Sequence, residues 1–91
     1  MDEGTGFVYI ISDGEAFKFG VAKNPYERLK QLQTANSKTL TLEHYEEKNK
    51  PYQVEAFVHR SLHKYRTNGE WFEGLSYIDM RSALLLCTEY D

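Results

Sequence analysis

From Phe7 to Ile11 the chain reads Phe-Val-Tyr-Ile-Ile, an unbroken apolar run. β-Branched and aromatic residues in such a run predict a strand, and apolar side chains on both faces suit a central, buried one. Asp13-Gly14 follows, a strong short-range hairpin signal. Phe17-Lys18-Phe19 alternates apolar with polar and reads as the return strand, with Gly20 at its end. Between Thr39 and Tyr45, Leu40 and Leu42 fall on one side and Thr39, Thr41 and Glu43 on the other. That alternation predicts a half-buried third strand.

The helical segments carry their own start signals. Asn24-Pro25-Tyr26-Glu27 places an N-cap at Asn24, proline at the first helical position and a capping-box glutamate at Glu27. This first helix runs to about Thr34, with Tyr26, Leu29 and Leu32 inward. Pro51 opens a second helix reaching about Tyr65. Val54, Phe57, Val58, Leu62 and Tyr65 recur at helical spacing and form its buried face. Tyr52, Glu55, His59, His63 and Arg66 make a neighbouring polar stripe. Asn68-Gly69 ends that helix, with Gly69 as a left-handed cap. Trp71, between Gly69 and Gly74, is expected as a buried plug between the second and third helices. Ser76 and Asp79 form another capping box, with Leu75 and Met80 as its hydrophobic staple, and open a third helix within 75–89. The order β-β-α-β-α-α defines an α+β fold, a small antiparallel sheet covered by helices.

Ninety-one residues make one domain, 1–91. A single cysteine, Cys87, excludes an internal disulfide framework and a cysteine-based zinc site, and suits a reducing compartment. No apolar run approaches the ~20 residues of a membrane helix. The acidic start Met1-Asp2-Glu3-Gly4 is unlike a signal peptide, so a cytoplasmic protein is expected. The net charge of −3 argues against a generic nucleic-acid binder. The charge is uneven, however. Residues 16–50 carry seven bases and four acids, so an anionic ligand would be met there.

Several residues could carry chemistry. Glu55, His59 and His63 are successive i, i+4 neighbours, a spacing that can hold a divalent metal and that a plain solvated helix face also produces. Tyr9 and Lys18 lie on opposite arms of one hairpin, where a cation near the phenol would lower its pKa and make it a base. Arg28 could clamp a phosphate or simply pair along its helix. Glu70, beside Trp71, is an acid in an aromatic segment and fits either a site or a structural turn.

Taken in order, these residues resemble the GIY-YIG endonuclease superfamily, and more narrowly its small phage and bacterial branch ending in Gly-Glu-Trp-Phe. Phe7-Val8-Tyr9 stands for Gly-Ile-Tyr, and Lys18-Phe19-Gly20 for Tyr-Ile-Gly, with lysine first as in that branch. Arg28 lies ten residues after Lys18, at the place of the family's helix arginine. Glu55-Ala56-Phe57-Val58-His59 matches Glu-x-x-apolar-His, and Gly69-Glu70-Trp71-Phe72 completes the set. The likeness covers residues 6 to about 73. Two places depart from it: the second tyrosine is Lys18, and Ala22 stands where many members have Ser or Thr.

The resemblance implies a three-stranded antiparallel sheet flanked by about three helices. It implies hydrolysis of phosphodiester bonds in DNA with one Mg²⁺ or Mn²⁺ ion on Glu55. Tyr9 would deprotonate or orient the attacking water, and Arg28 would neutralise charge on the phosphate. Lys18 would lower the Tyr9 pKa or bind phosphate, and His59 would be a second ligand, proton shuttle or orienting group. Lys23, Lys30 and Glu70 are candidate substrate contacts. A targeting or host protein is a candidate partner, and a phage or bacterial source is implied. The alternative is a catalytically silent protein of the same fold that grips a host protein or a nucleotide.

Overall fold

The hairpin forms where the apolar run and Asp13-Gly14 place it. In the computed structural model, which describes residues 5–88, β1 spans Gly6–Ser12 and β2 spans Phe17–Ala22. They pair antiparallel, with Ser12 opposite Phe17 and Tyr9 opposite Gly20. Asp13 Oδ1 closes the turn by accepting from the amides of Glu15 and Ala16 at 2.9 and 2.7 Å. Gly14 supplies the positive φ of 102° that the turn requires. β3 (Thr41–Lys48) pairs antiparallel with the other edge of β1, with a register irregularity between Ile10 and Ile11. β1 therefore has a strand on each side, the central position its apolar run predicts.

The sheet has five strands, not three. α2 spans Pro51–Ser61, short of the expected Tyr65, and a 3₁₀ turn at His63–Tyr65 follows. The chain then makes β4 (Arg66–Asn68) and β5 (Trp71–Phe72), and β5 pairs with β2. The order is β3-β1-β2-β5-β4, with every neighbouring pair antiparallel. Strands of three and two residues are too short to show alternation, and Arg66-Thr67-Asn68 is polar and exposed throughout. Gly69, at φ 59°, turns this small hairpin instead of capping a helix. Arg66 consequently leaves the helical stripe assigned to it and sits on a strand.

α1 spans Pro25–Thr34. Asn24 Oδ1 accepts from the amides of Tyr26 and Glu27 at 3.0 and 3.2 Å, as an N-cap should. Glu27 turns to Lys30, 3.7 Å away, rather than back to the cap. Tyr26 is exposed instead of inward, and packs edge-on against Tyr45 with the hydroxyls 3.1 Å apart. α3 spans Tyr77–Leu86, opened by the reciprocal Ser76–Asp79 capping box at 3.0 and 3.1 Å. Residues 1–4 of the expected domain, and 89–91 beyond this helix, lie outside the described residues. Among the described residues no helix is long and apolar enough to cross a membrane.

Helices cover both faces of the sheet. On one face Val8, Ile10, Phe19 and Phe72 pack against Val54 and Val58 of α2 and Met80 and Leu84 of α3. On the other, Tyr9 and Ile11 pack with Leu40 and with Leu29 and Leu32 of α1. Strand alternation sends neighbours to opposite faces. Phe72 thus enters the α2–α3 core, and Trp71 goes to the α1 side, where it is half-buried rather than plugging the space between α2 and α3.

Candidate active site

Five segments of the chain deliver polar side chains to one place. β2 contributes Lys18, whose side chain is only 10% exposed in an otherwise apolar strand. Its ammonium lies 3.1 Å from Glu70 Oε1 and sits over the Trp71 ring at 5.7 Å. Glu70 occupies the β4–β5 turn, pinned to β2 by the Phe19 amide, which donates to the Glu70 carbonyl at 3.2 Å. From the other face α2 presents Glu55, whose carboxyl group is hydrogen-bonded to that of Glu70. One turn further along α2, His59 Nε2 lies 2.9 Å from the carbonyl oxygen of Phe19, and its ring packs edge-on against Phe72 at 4.9 Å.

Tyr9 and Arg28 reach the same carboxylates from the α1 side. The Tyr9 hydroxyl interacts with the Arg28 side chain and feels the charges of Glu70 and Glu55. Arg28 also donates to Gln31 Oε1 at 3.2 Å. Gly20 makes this convergence possible. A Cβ there would stand 2.5 Å from Tyr9 Oη and 2.8 Å from Glu70 Oε1. Only a residue without a side chain lets phenol and carboxylate cross β2 at that point. Tyr9, Lys18, Arg28, Glu55, His59 and Glu70 are therefore brought together. Lys23 and Lys30 are not: both are exposed, and Lys30 faces Glu27.

The electrostatics follow from half-burial of two acids around one ammonium. Burial, then the hydrogen bond and charge of Glu70, push the Glu55 carboxyl up to about 8, against a smaller opposing pull from Lys18. Burial also opposes ionisation of Glu70, but its hydrogen bonds with Glu55 and Lys18 outweigh this and hold it below the usual carboxylate range. The resting arrangement is a protonated Glu55 donating to an ionised Glu70, which Lys18 neutralises. Burial raises the Tyr9 phenol, with Glu70 and Glu55 adding to the rise and Arg28 opposing it. Lys18 does not lower it, contrary to the expectation from the hairpin, because Glu70 takes up the ammonium.

Beside the carboxylate pair opens a cleft of about 300 Å³, lined by Glu55, Ala56, His59, Arg66, Gly69 and Glu70. One donor atom from each of Glu55, His59 and Glu70 lies within 4.8 Å of the others, a set that fits a divalent cation. Arg66, whose Nε donates to the Gly69 carbonyl at 2.6 Å, forms a basic wall of this cleft. The sequence placed Arg66 near Glu55 and His59 only through a helix that does not extend so far. Gly20 was readable as a strand end, and its role as a crossing point depends on partners distant along the chain.

Residues 6–86 match the T5orf172 domain. No curated protein and no solved structure matches the chain.

Proposed function

The chain belongs to the T5orf172 domain family, and from that premise we propose that it is a metal-dependent nuclease of the GIY-YIG kind, hydrolysing phosphodiester bonds in DNA. The family occurs in phage and bacterial endonuclease-like proteins. The observation that carries the reading is that Glu55 and His59 line one cleft with Glu70, while the interacting Tyr9–Arg28 pair lies close enough to feel the charges of the same two carboxylates. Tyr9, Arg28, Glu55 and His59 come from one strand and two helices far apart in the sequence, and each alone has an ordinary structural use.

Glu55, with His59 and Glu70 beside it, would hold a Mg²⁺ or Mn²⁺ ion. Such an ion, when bound, supplies Lewis-acid polarisation of a phosphate oxygen. The protein's own groups supply the rest. Arg28 offers a planar, permanently charged fork next to Tyr9, suited to the charge that builds on a phosphate in the transition state. Tyr9 keeps its proton at neutral pH, so it orients water or substrate oxygen as a hydrogen-bond donor rather than serving as the resting base. Lys18 holds Glu70 ionised and in place. Arg66 adds a second positive group at the cleft.

The test is cleavage of supercoiled plasmid with Mg²⁺ or Mn²⁺. Nicked and linear products that EDTA stops, and that Arg28→Ala loses, support the reading. Absence of cleavage with either ion refutes it and leaves the silent, gripping protein. Cleavage that survives EDTA refutes the metal requirement.

A further inference from the structure

We propose that Glu55, His59 and Glu70 form a three-ligand site for a divalent cation, one that fills without nucleic acid and prefers Mn²⁺-type ions to Mg²⁺. The inference rests on reading the cleft as a metal-dependent nuclease site, and it assigns that site's ligands. A lone carboxylate at Glu55 would leave the ion dependent on substrate phosphate for retention, as Mg²⁺ sites with one or two carboxylates are.

Geometry is the first support. The three donor atoms lie within 4.8 Å of one another. Bonds of about 2.0–2.2 Å to nitrogen and oxygen require donors roughly 3–4.3 Å apart. Closing the triad therefore takes only small side-chain adjustments. The ligands come from two elements that β2 ties together, since Phe19 accepts from His59 through its carbonyl and donates to the Glu70 carbonyl through its amide.

The state of His59 is the second support, and it is independent of the acids. A carbonyl oxygen can only accept, so His59 Nε2, 2.9 Å from Phe19 O, donates to it. Nδ1 is the ring nitrogen that remains to meet an ion. Ligating histidines are held in this way, with the second ring nitrogen donating to a carbonyl or carboxylate that fixes ring and tautomer. The Phe72 ring, 4.9 Å away, further restricts the imidazole.

Lys18 is the third. Its buried ammonium meets one oxygen of Glu70 at 3.1 Å. Ligating carboxylates are themselves hydrogen-bonded in this manner, which aims the remaining oxygen. The mixed donor set decides the preference. Two oxygens alone suit Mg²⁺, whereas an imidazole nitrogen favours ions further along the transition series.

Direct binding tests the proposal. Mn²⁺ is titrated calorimetrically into the full chain without nucleic acid, then Mg²⁺ under the same conditions. Wild type takes up one Mn²⁺ per chain, more tightly than Mg²⁺. Glu70→Gln, checked for its fold by circular dichroism, weakens Mn²⁺ binding at least about tenfold, since loss of a mere supporting partner already costs that much. A second measurement needs no variant: titration with Zn²⁺ displaces the ¹⁵N resonance of His59 Nδ1. Absence of Mn²⁺ binding, wild-type binding by a folded Glu70→Gln, or a stationary Nδ1 resonance each overturns the site. Plasmid cleavage on the same samples separates the two claims. Glu70-dependent Mn²⁺ binding in a protein that cuts nothing refutes the nuclease and keeps the site. Cleavage with wild-type ion binding in Glu70→Gln refutes the site and keeps the nuclease.

Discussion

Replacing Glu55 by glutamine should stabilise the metal-free protein, and the gain should grow with pH. Glutamine keeps the volume of Glu55 and can donate to Glu70 from its amide, as the protonated acid does. The variant cannot ionise. In the wild type, burial and Glu70 move the carboxyl from the ordinary 4.5 to about 8. The folded chain therefore keeps a proton that the unfolded chain releases, and stability drains away as pH rises from about 4.5 through about 8. Each pH unit across that window is worth ~1.4 kcal/mol, which sets a ceiling near ~5 kcal/mol. Half-burial lets water relax the cost, and a discounted figure is about 2 kcal/mol. For a domain of this size that is roughly 10 °C in Tm. The assay is thermal unfolding by circular dichroism in EDTA at pH 5, 7 and 9. Glu55→Gln should nearly match the wild type at pH 5 and exceed it by most of the full amount at pH 9. Equal melting at pH 9, or a variant less stable there, would refute the buried acid pair.

Other outcomes follow from the same contacts. Gly20→Ala drives a methyl into Tyr9 Oη and Glu70 Oε1 and should cost about 1–3 kcal/mol in urea unfolding. Phe72→Ala empties the α2–α3 core and should cost about 3–5 kcal/mol. Trp71→Ala, at a half-buried position on the α1 side, should cost less, roughly 2 kcal/mol; the reverse order would contradict the side assigned to each ring. Lys18→Met should leave Glu70 without its ammonium and lose about 1–2 kcal/mol near pH 7. Adding Glu70→Gln should restore most of that loss, and a denaturant double-mutant cycle measures the restoration.

The readable parts of this chain are those whose causes are local. The apolar run at Phe7–Ile11, the Asn24 cap and the Ser76–Asp79 box each act within a few residues, and each forms where it is expected. The β4–β5 hairpin is different. Its strands hold only a few residues and exist because the edge of β2 is free to pair with Trp71 and Phe72. That same pairing decides which of the two rings enters the larger core. In the site, type and spacing left Tyr9, Arg28, Glu55 and His59 with ordinary structural uses, and it was the family resemblance that singled them out. Glu70 was expected only as a substrate contact, because its pairing with Lys18 and Glu55 joins residues far apart along the chain. The expected lowering of the Tyr9 pKa failed for the same reason: the ammonium meant for the phenol is taken by Glu70.

The nuclease account is tested most directly by comparing wild type and Glu55→Gln on supercoiled plasmid with Mn²⁺ at pH 8, both proteins folded by circular dichroism. The substitution removes the charge that holds the ion while relieving the buried acid pair, so stability and activity should move in opposite directions. Wild type should nick and linearise the plasmid. The variant should be slower by at least about 100-fold, because an ion's stabilisation of the transition state is worth several kcal/mol and each ~1.4 kcal/mol is a factor of ten. Cleavage by Glu55→Gln at the wild-type rate would contradict the account.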